Sequence, residues 1–284
     1  MVQKMEKITN LQGMLLEGCV WDEILQVLYF IDIEFRKLYQ YAPDTETLLM
    51  MEMHDYIGCV VLEPSGTLAA ALPDGLYRVN FRQKTAVKIA DSGLEWGLRY
   101  NDGKCDARGR LWVGSMEISQ GEHARGKGSL YCIENGFIRS RYPGYTIPNG
   151  LCWKKDYKTF YHIDTPTRRV DAYAVKEEFV LERTGTAVDL GGVQGVPDGM
   201  CMDAEGKLWI AMWGGGRVVC CDAGTGSILR ELEVPDRNVS CCTFGGKNMD
   251  MLYITTARDE TGSGGEVYRC KLQVRGEKAE RYGK

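Results

Sequence analysis

The chain has 284 residues, of which 44% are hydrophobic and 26% are charged, so it is long enough and apolar enough to build a large globular core. Its net charge of −4 comes from 39 acidic and 35 basic residues without a basic stripe, which argues against nucleic acid as a partner. No apolar run is long enough for a membrane span, and the charged segment Met1–Lys7 lacks the apolar core of a secretory signal.

Short runs of β-branched and aromatic residues, bounded by turn residues, predict β-strands along the whole chain. In chain order these are Gly18–Trp21, Val27–Asp32, Lys37–Tyr41, Cys59–Leu62, Leu68–Leu72, Gly75–Phe81, Lys104–Asp106, Leu111–Ser115, Ser129–Glu134, Leu151–Lys154, Phe160–Asp164, Arg169–Ala174, Met200–Asp203, Leu208–Trp213, Arg217–Asp222, Leu229–Val234, Ser240–Phe244, Leu252–Thr256 and Glu266–Leu272. The stretch Glu117–Lys127 is rich in Gly and charge and predicts a loop over one face, a candidate lid.

A short sequence motif recurs six times at intervals of roughly 40 to 50 residues, and this repeat predicts the fold. Each copy combines a Gly, a strand with a small residue, a turn and a second strand, and the copies begin near Glu17, Ile57, Asp102, Asn149, Asp198 and Ser240. A period of this length with strand–turn–strand content is typical of a β-propeller. We therefore predict one all-β domain over residues 1–284, a six-bladed β-propeller with a central channel. We expect the amino-terminal segment Lys7–Leu16 to close the ring by pairing with the last blade, because closure protects edge strands.

Eleven cysteines occur without a C-x-x-C pair. Four of them, Cys19, Cys59, Cys152 and Cys201, share one place in the repeat, where a free cysteine packs as a small buried hydrophobe. So many free thiols favour a reducing, cytoplasmic location over a secreted one.

Oxygen-bearing side chains recur at one phase of the repeat, next to the Gly. They are Glu17, Asn101, Asn149 and Asp198, each expected immediately before an innermost strand. Equivalent positions of a propeller lie at one level around the channel, so these groups are expected to converge. Such a set suits a divalent cation that prefers oxygen ligands, with water completing the shell. Asn-Gly and Asp-Gly are also strong turn dipeptides, but Glu17-Gly18 is a poor one, and the shared phase favours a site.

Other chemistry has less support in the sequence. Arg99 precedes Asn101 and could hold hydroxyls or an oxyanion at the same level. No G-x-S-x-G elbow indicates a serine hydrolase. His162 occupies the phase of Phe30 in the first repeat, so it is interpreted as a packing residue.

Several of these motifs, taken in order, resemble the gluconolactonase and regucalcin (senescence marker protein) family, which includes luciferin-regenerating enzymes. The resemblance runs from about residue 14 to about residue 270 and rests on Leu16–Trp21, Arg99–Lys104, Gly109–Met116, Pro148–Leu151, Pro197–Met200 and Phe244–Gly246.

The resemblance implies a six-bladed propeller with one divalent cation in its channel and hydrolysis of sugar lactones, or of organophosphate esters in relatives. It implies Glu17, Asn149 and Asp198 as metal ligands, with Asp198 also the candidate general base. It further implies that Arg99 and Asn101 contact substrate hydroxyls. The cation could be Ca²⁺, Zn²⁺, Mn²⁺, Mg²⁺ or Fe²⁺.

One position departs from the family pattern. Members often carry a substrate-binding acid a few residues after the segment equivalent to Gly114–Met116. By strict spacing that position is Ser119, whereas Glu117 lies slightly early. Glu117 is therefore the candidate third substrate contact, and the identity of the sugar stays open.

The function expected from these observations is a cytoplasmic, metal-dependent lactonase that opens an aldonolactone. The alternatives are a calcium-binding protein without turnover, a phosphotriester hydrolase, and a scaffold that binds a protein on one face. The last alternative would assign no role to Glu17, Asn149 and Asp198.

Overall fold

A computed structural model of the protein describes residues 4–177 and 179–284. Met1–Gln3, part of the segment considered as a signal sequence, lie outside the described residues. Twenty-four strands in that part of the chain form six four-stranded antiparallel sheets, so the predicted six-bladed β-propeller is confirmed. None of the described helices is long and apolar enough to cross a membrane.

The first three blades follow one another along the chain, each running from its inner to its outer strand. They consist of β2 Leu16–Asp22, β3 Val27–Asp32, β4 Lys37–Ala42 and β5 Thr47–Glu52; β6 Cys59–Leu62, β7 Leu68–Leu72, β8 Gly75–Asn80 and β9 Thr85–Asp91; β10 Leu98–Cys105, β11 Leu111–Glu117, β12 Gly128–Glu134 and β13 Phe137–Tyr145. A short 3₁₀ helix, Glu122–Ala124, lies in the predicted loop between β11 and β12.

The other three blades repeat the arrangement, and the last borrows its outer strand, β1 Glu6–Lys7, from the amino terminus. They consist of β14 Pro148–Trp153, β15 Thr159–Asp164, β16 Arg169–Glu177 and β17 Val180–Asp189; β18 Val196–Met202, β19 Leu208–Trp213, β20 Arg217–Cys221 and β21 Ile228–Glu233; β22 Asn238–Gly245, β23 Met251–Ala257, β24 Val267–Lys271 and β1. A second 3₁₀ helix covers Thr165–Thr167.

The amino-terminal segment binds the last blade to the rest of the ring. Glu6 pairs with Arg269 in β24, and Leu15 forms an isolated bridge with Ala257. The pairing strand is therefore Glu6–Lys7, at the start of the segment Lys7–Leu16 expected from the sequence.

The segment 275–284, which the sequence analysis did not single out, crosses one face of the ring and touches all six blades. We call it the carboxy-terminal strap. Its backbone contacts fall on Met249, Ala204 and Met202, then on Leu62 and Gly109, while side chains reach the remaining blades at Asp22 and Tyr157. Tyr282 is buried, and its hydroxyl accepts a hydrogen bond from the Gly136 amide at 2.8 Å.

The apolar cores lie between neighbouring blades. Tyr29 and Val60, for example, join the cluster between the first and second blades, and Val170 and Ile210 join that between the fourth and fifth. All eleven cysteines are free and buried, which confirms their interpretation as small interior residues.

The inner strands share an irregularity that positions the site. In β2, Glu17 pairs with Ile31 but Val20 pairs with Tyr29, so the inner strand holds one extra residue at Gly18-Cys19. The same β-bulge occurs in β10, β14, β18 and β22. Bulges redirect side chains beside functional sites. The predicted site residues were expected just before the inner strands, and that placement is wrong, because they lie inside these strands at the bulges.

Candidate functional site at one end of the channel

The bulges bring the predicted oxygen donors to the channel at one level. Glu17, Asn101, Asn149 and Asp198 are each buried, with only 6–7% of their surface exposed. Each comes from a different blade, so residues far apart in sequence share one small region.

A chain of hydrogen bonds links three blades at this level. Asn101 donates from Nδ2 to Asn149 Oδ1 and to the carbonyl of Pro148, both at 2.9 Å. Asn149 in turn donates from Nδ2 to Thr165 Oγ1 at 2.8 Å, and Thr165 donates to the Pro197 carbonyl at 2.9 Å. The amide of Asn149 is therefore held with its nitrogen toward Thr165. Since a carbonyl oxygen has two lone pairs, Oδ1 retains one for a further partner.

Arg99 lies beside this chain. Its Nη1 donates to the Asn101 Oδ1 at 2.8 Å and to the Tyr100 carbonyl at 2.9 Å. Burial lowers the pKa of Arg99, while the charges of Glu34, Glu17 and Asp198 oppose that change. The guanidinium thus sits within the field of the two carboxylates predicted as ligands.

Three buried carboxylates influence one another's ionisation in this part of the channel. Burial, reinforced by the charge of Asp102, raises the pKa of Glu17 to about 8. Burial and the charges of Glu17 and Asp102 raise the pKa of Asp198. Burial also raises the pKa of Asp102 itself. Buried carboxylates that share a site resist ionisation together, because each charge is desolvated and repels the others.

The residues fit a divalent cation by donor chemistry and by charge. Glu17 and Asp198 supply carboxylate oxygens and Asn149 an amide oxygen, which are the ligands that hard cations prefer. A cation there would offset the repulsion between the two carboxylates. Among the described residues no three His, Cys, Asp or Glu side chains form a metal-binding group. A cation at this level would therefore need a donor of another type, and the amide oxygen of Asn149 is one that the site offers.

Glu117 lies apart from the four donors, at the end of β11. Its backbone neighbour across the sheet is Leu98, next to Arg99. Its carboxylate lies 3.2 Å from His123 Nε2 and 3.6 Å from Lys127 Nζ, both in the loop predicted as a lid. Ser119 is exposed, and its carbonyl lies 2.9 Å from the same His123 nitrogen. The acidic side chain at this end of β11 is therefore Glu117, and in this structure it contacts His123 and Lys127 of the loop Glu117–Lys127.

Other residues at this level escaped the sequence reasoning. Asp102 was named only as part of a Gly motif, yet it is buried and adds the third carboxylate. Thr165, which fixes the Asn149 amide, has no repeat signal because it follows the strand β15. One sequence signal could have identified these buried charges. Asp102 and Lys104 place a carboxylate and an ammonium two residues apart in one inner strand.

His162 is buried between Tyr145 and Phe160, with ring centroids 4.9 and 5.7 Å away. Burial lowers the pKa of its imidazole to about 3, so the ring is neutral at physiological pH. These contacts agree with a packing role.

Known proteins share both the sequence and this architecture. Human regucalcin is 34% identical over 249 residues, which cover 86% of this chain and 83% of its own. A solved luciferin-regenerating enzyme superposes with a TM-score of 0.93 at 28% identity, covering 99% of both chains. The gluconolactonase XC5397 of Xanthomonas campestris superposes with a TM-score of 0.75 at 21% identity, over 95% of this chain and 90% of that one, which indicates a shared fold alone. Residues 15–258 match the model of the SMP-30/Gluconolactonase/LRE-like region, and the chain therefore belongs to the SMP-30, gluconolactonase and luciferin-regenerating-enzyme-like family.

Proposed function

We propose that this protein is a metal-dependent lactonase that opens a sugar lactone to its aldonic acid. The observation that carries the proposal is the buried set of Glu17, Asn149 and Asp198 beside Arg99, at the end of the channel. Membership of a family that includes gluconolactonases supports the reaction class.

Glu17, Asn149 and Asp198 would hold the cation. When bound, a divalent cation supplies Lewis-acid chemistry, polarising a carbonyl or lowering the pKa of water. The same oxygen set accommodates Ca²⁺, Mn²⁺ or Mg²⁺ and leaves Zn²⁺ and Fe²⁺ as further candidates, since geometry and supply decide among them.

Lactone hydrolysis adds water to the carbonyl carbon and breaks the bond from that carbon to the ring oxygen. Asp198 is the proposed base that takes the proton from water and returns a proton to the ring oxygen. Burial and the charges of Glu17 and Asp102 raise the pKa of Asp198 in the metal-free protein, whereas a bound cation would lower it and keep the carboxylate in the ionised form that can accept a proton.

Arg99 and Asn101 orient the substrate in different ways. The two N–H groups of the Asn101 amide are committed to Pro148 and Asn149, so Asn101 offers substrate only an acceptor position on Oδ1. Arg99 uses Nη1 toward Asn101 and Tyr100, which leaves other guanidinium donors for a hydroxyl or carboxylate oxygen. Glu117 is the proposed third contact, once the loop residues His123 and Lys127 release it. The eleven free thiols support a reducing, cytoplasmic setting for this reaction.

The deciding experiment assays metal-stripped protein against a panel of aldonolactones by proton release, with each divalent cation restored in turn. We expect hydrolysis that depends on the cation and that falls by at least a hundredfold in Asp198→Asn. Metal binding without hydrolysis of any lactone would instead support the calcium-binding alternative. Hydrolysis of phosphotriesters but not of lactones would support the phosphotriester alternative.

A further inference from the structure

The channel contains a cavity that lies beyond the level of the predicted metal ligands. Its volume is about 570 Å³, within the range typical of small-molecule sites. On every inner strand that carries a site residue, the residues lining this cavity come later in the chain than the site residue. Gly18–Val20 follow Glu17, Cys152 follows Asn149, and Cys201 follows Asp198. The cavity therefore occupies the opposite half of the channel and opens on the face crossed by the carboxy-terminal strap.

The wall of this cavity is mostly apolar. Thiols at Cys19, Cys105, Cys152, Cys201 and Cys241 join the aliphatic side chains of Val20, Val60, Val61 and Met202. All five thiols are buried and free. A wall of this kind favours an apolar body, because burying carbon surface stabilises a complex.

The inner end of the cavity holds a carboxylate with one oxygen that has no hydrogen-bond partner among the described residues. Asp102 is 5% exposed, and its Oδ1 accepts a hydrogen bond from the Gly103 amide at 2.8 Å. Its other oxygen, Oδ2, is buried and has no hydrogen-bond partner among the described residues. Lys104, two residues on, donates to the Met200 carbonyl and also lines the cavity. An unpartnered buried carboxylate oxygen is costly, so it is the group that a ligand's hydrogen-bond donor would satisfy.

The outer end of the cavity carries more basic than acidic side chains. The strap places Arg275 and Lys278 there together with Glu277 and Glu280, and Glu280 is paired with Lys284. Lys155 is 3.9 Å from Glu277, and Lys247 is 3.5 Å from Asp44. Arg275 and Lys278 also line the opening, are exposed, and have no ion pair within the part of the chain described. Arg275 and Lys278 are thus two positively charged side chains without an ion-pair partner among the described residues, and at the mouth of an apolar cavity they are complementary to an anionic group.

We propose that this half of the channel is a second ligand site, which takes a small organic anion with an apolar body. The anionic group lies at Arg275 and Lys278, the body fills the wall of thiols and aliphatic side chains, and an inner hydrogen-bond donor reaches Asp102. Asp102 and Cys105, which are three positions apart in β10, both line the cavity, so its wall runs for about 10 Å along this strand, a length suited to a two-ring compound with a substituent at each end.

Two commercial probes separate the parts of this site. Naphthalene-1-sulfonate carries the anion and the apolar body, and 5-aminonaphthalene-1-sulfonate adds an N–H donor at the far end. Isothermal titration calorimetry should give one site per chain for both. The amino compound should bind about tenfold more tightly, because its N–H group satisfies a buried carboxyl oxygen that otherwise has no partner among the described residues.

Matched variants test each contact separately. In Asp102→Asn the Gly103 contact can persist on Oδ1, while an NH₂ group replaces Oδ2, so the advantage of the amino compound should disappear. In the double variant Arg275→Gln, Lys278→Gln both probes should bind at least tenfold more weakly, and lactone hydrolysis, if present in the wild type, should be unchanged.

The absence of saturable binding by either probe would overturn the proposal, as would equal binding in the wild type and in the double variant. The double variant alters exposed side chains and should fold, so it decides the question even if Asp102→Asn proves unstable. Because the site is defined by probe binding alone, its failure is distinguishable from failure of the lactonase proposal.

Discussion

Asn101 and Asn149 lie 48 residues apart and in different blades, yet their side-chain amides are joined by a hydrogen bond of 2.9 Å. The bond makes Asn101 a positioning residue for the predicted ligand Asn149 as well as a candidate substrate contact. With Thr165 on the other side, the Asn149 amide is held by two partners.

We predict that Asn101→Ala lowers kcat/KM for the lactone by ten- to a hundredfold and also weakens the cation, though less than Asn149→Ala does. The reason is that Asn149 loses one of the contacts that fix its amide. Cation affinity from calorimetry and steady-state kinetics would check this. Thr165→Ser, which keeps the hydroxyl, is the matched control and should stay close to wild type. Wild-type cation affinity in Asn101→Ala would show that Asn149 needs no support from Asn101.

We predict that the metal-free protein loses stability as the pH rises from about 4.5 to about 8. Burial raises the pKa of Glu17 from 4.5 to about 8, so the folded state binds a proton that the unfolded state has already released in this interval. Stability falls with pH wherever the folded state holds more protons. Urea denaturation at several pH values would measure the slope.

Glu17→Gln should flatten that slope, since a neutral amide has no proton to lose. It should also weaken cation binding more than it weakens folding. A saturating cation should likewise remove the slope from the wild-type protein, because it compensates the ionised carboxylate. An identical slope in wild type and Glu17→Gln would exclude Glu17 as its source, leaving Asp102 or Asp198.

We predict that Glu117→Gln raises KM for the lactone several-fold with a smaller change in kcat. The amide keeps the shape of the acid but weakens its contacts with hydroxyls and with Lys127. Ser119→Ala should leave both constants unchanged, because the contact of Ser119 with His123 is made by its backbone carbonyl. A larger effect of Ser119→Ala than of Glu117→Gln would assign the substrate contact to Ser119 after all.

We predict that Tyr282→Ala destabilises the protein by about 3 kcal/mol, since it empties a buried aromatic position. Tyr282 packs with Cys59, Tyr100 and Tyr131 between the second and third blades. Tyr282→Phe should cost only about 1 kcal/mol, the worth of the hydrogen bond from Gly136. Chemical denaturation distinguishes the two variants, and equal stability of wild type and Tyr282→Ala would mean that the strap does not hold the ring.

The sequence predicted the blades because their buried strands alternate and repeat, but most outer strands were not recognised. Thr85–Asp91 is exposed along most of its length, so it shows little apolar alternation. An edge strand is held by backbone pairing on one side, and such pairing imposes few demands on residue type. Besides the amino-terminal closing strand, one outer strand was predicted, at Leu229–Val234; it is observed at Ile228–Glu233 and has a buried Leu232.

The site was partly predictable for a similar reason. Glu17, Asn149 and Asp198 stand beside a Gly in each repeat, and the repeat alone indicates a shared level. Asp102 was not predicted, because regular strand alternation puts it on the opposite face from Asn101. The β-bulge between Tyr100 and Gly103 breaks that alternation, and no residue pattern in the sequence predicted the bulge. The contacts of Glu117 with His123 and Lys127 depend on the conformation of a loop, and a loop has no sequence periodicity from which it could be predicted.

The strap has a consequence for how the molecule is assembled. Arg281 donates to Asp22 and Glu23 of the first blade and to the Glu63 carbonyl of the second, although it follows the sixth blade in the chain. Because Arg281 follows all six blades in the chain, these contacts can form only after all six blades have been synthesised. Synthesis therefore produces six blades before the segment that joins them across this face, and the thiol-lined cavity is completed only when the strap is in place.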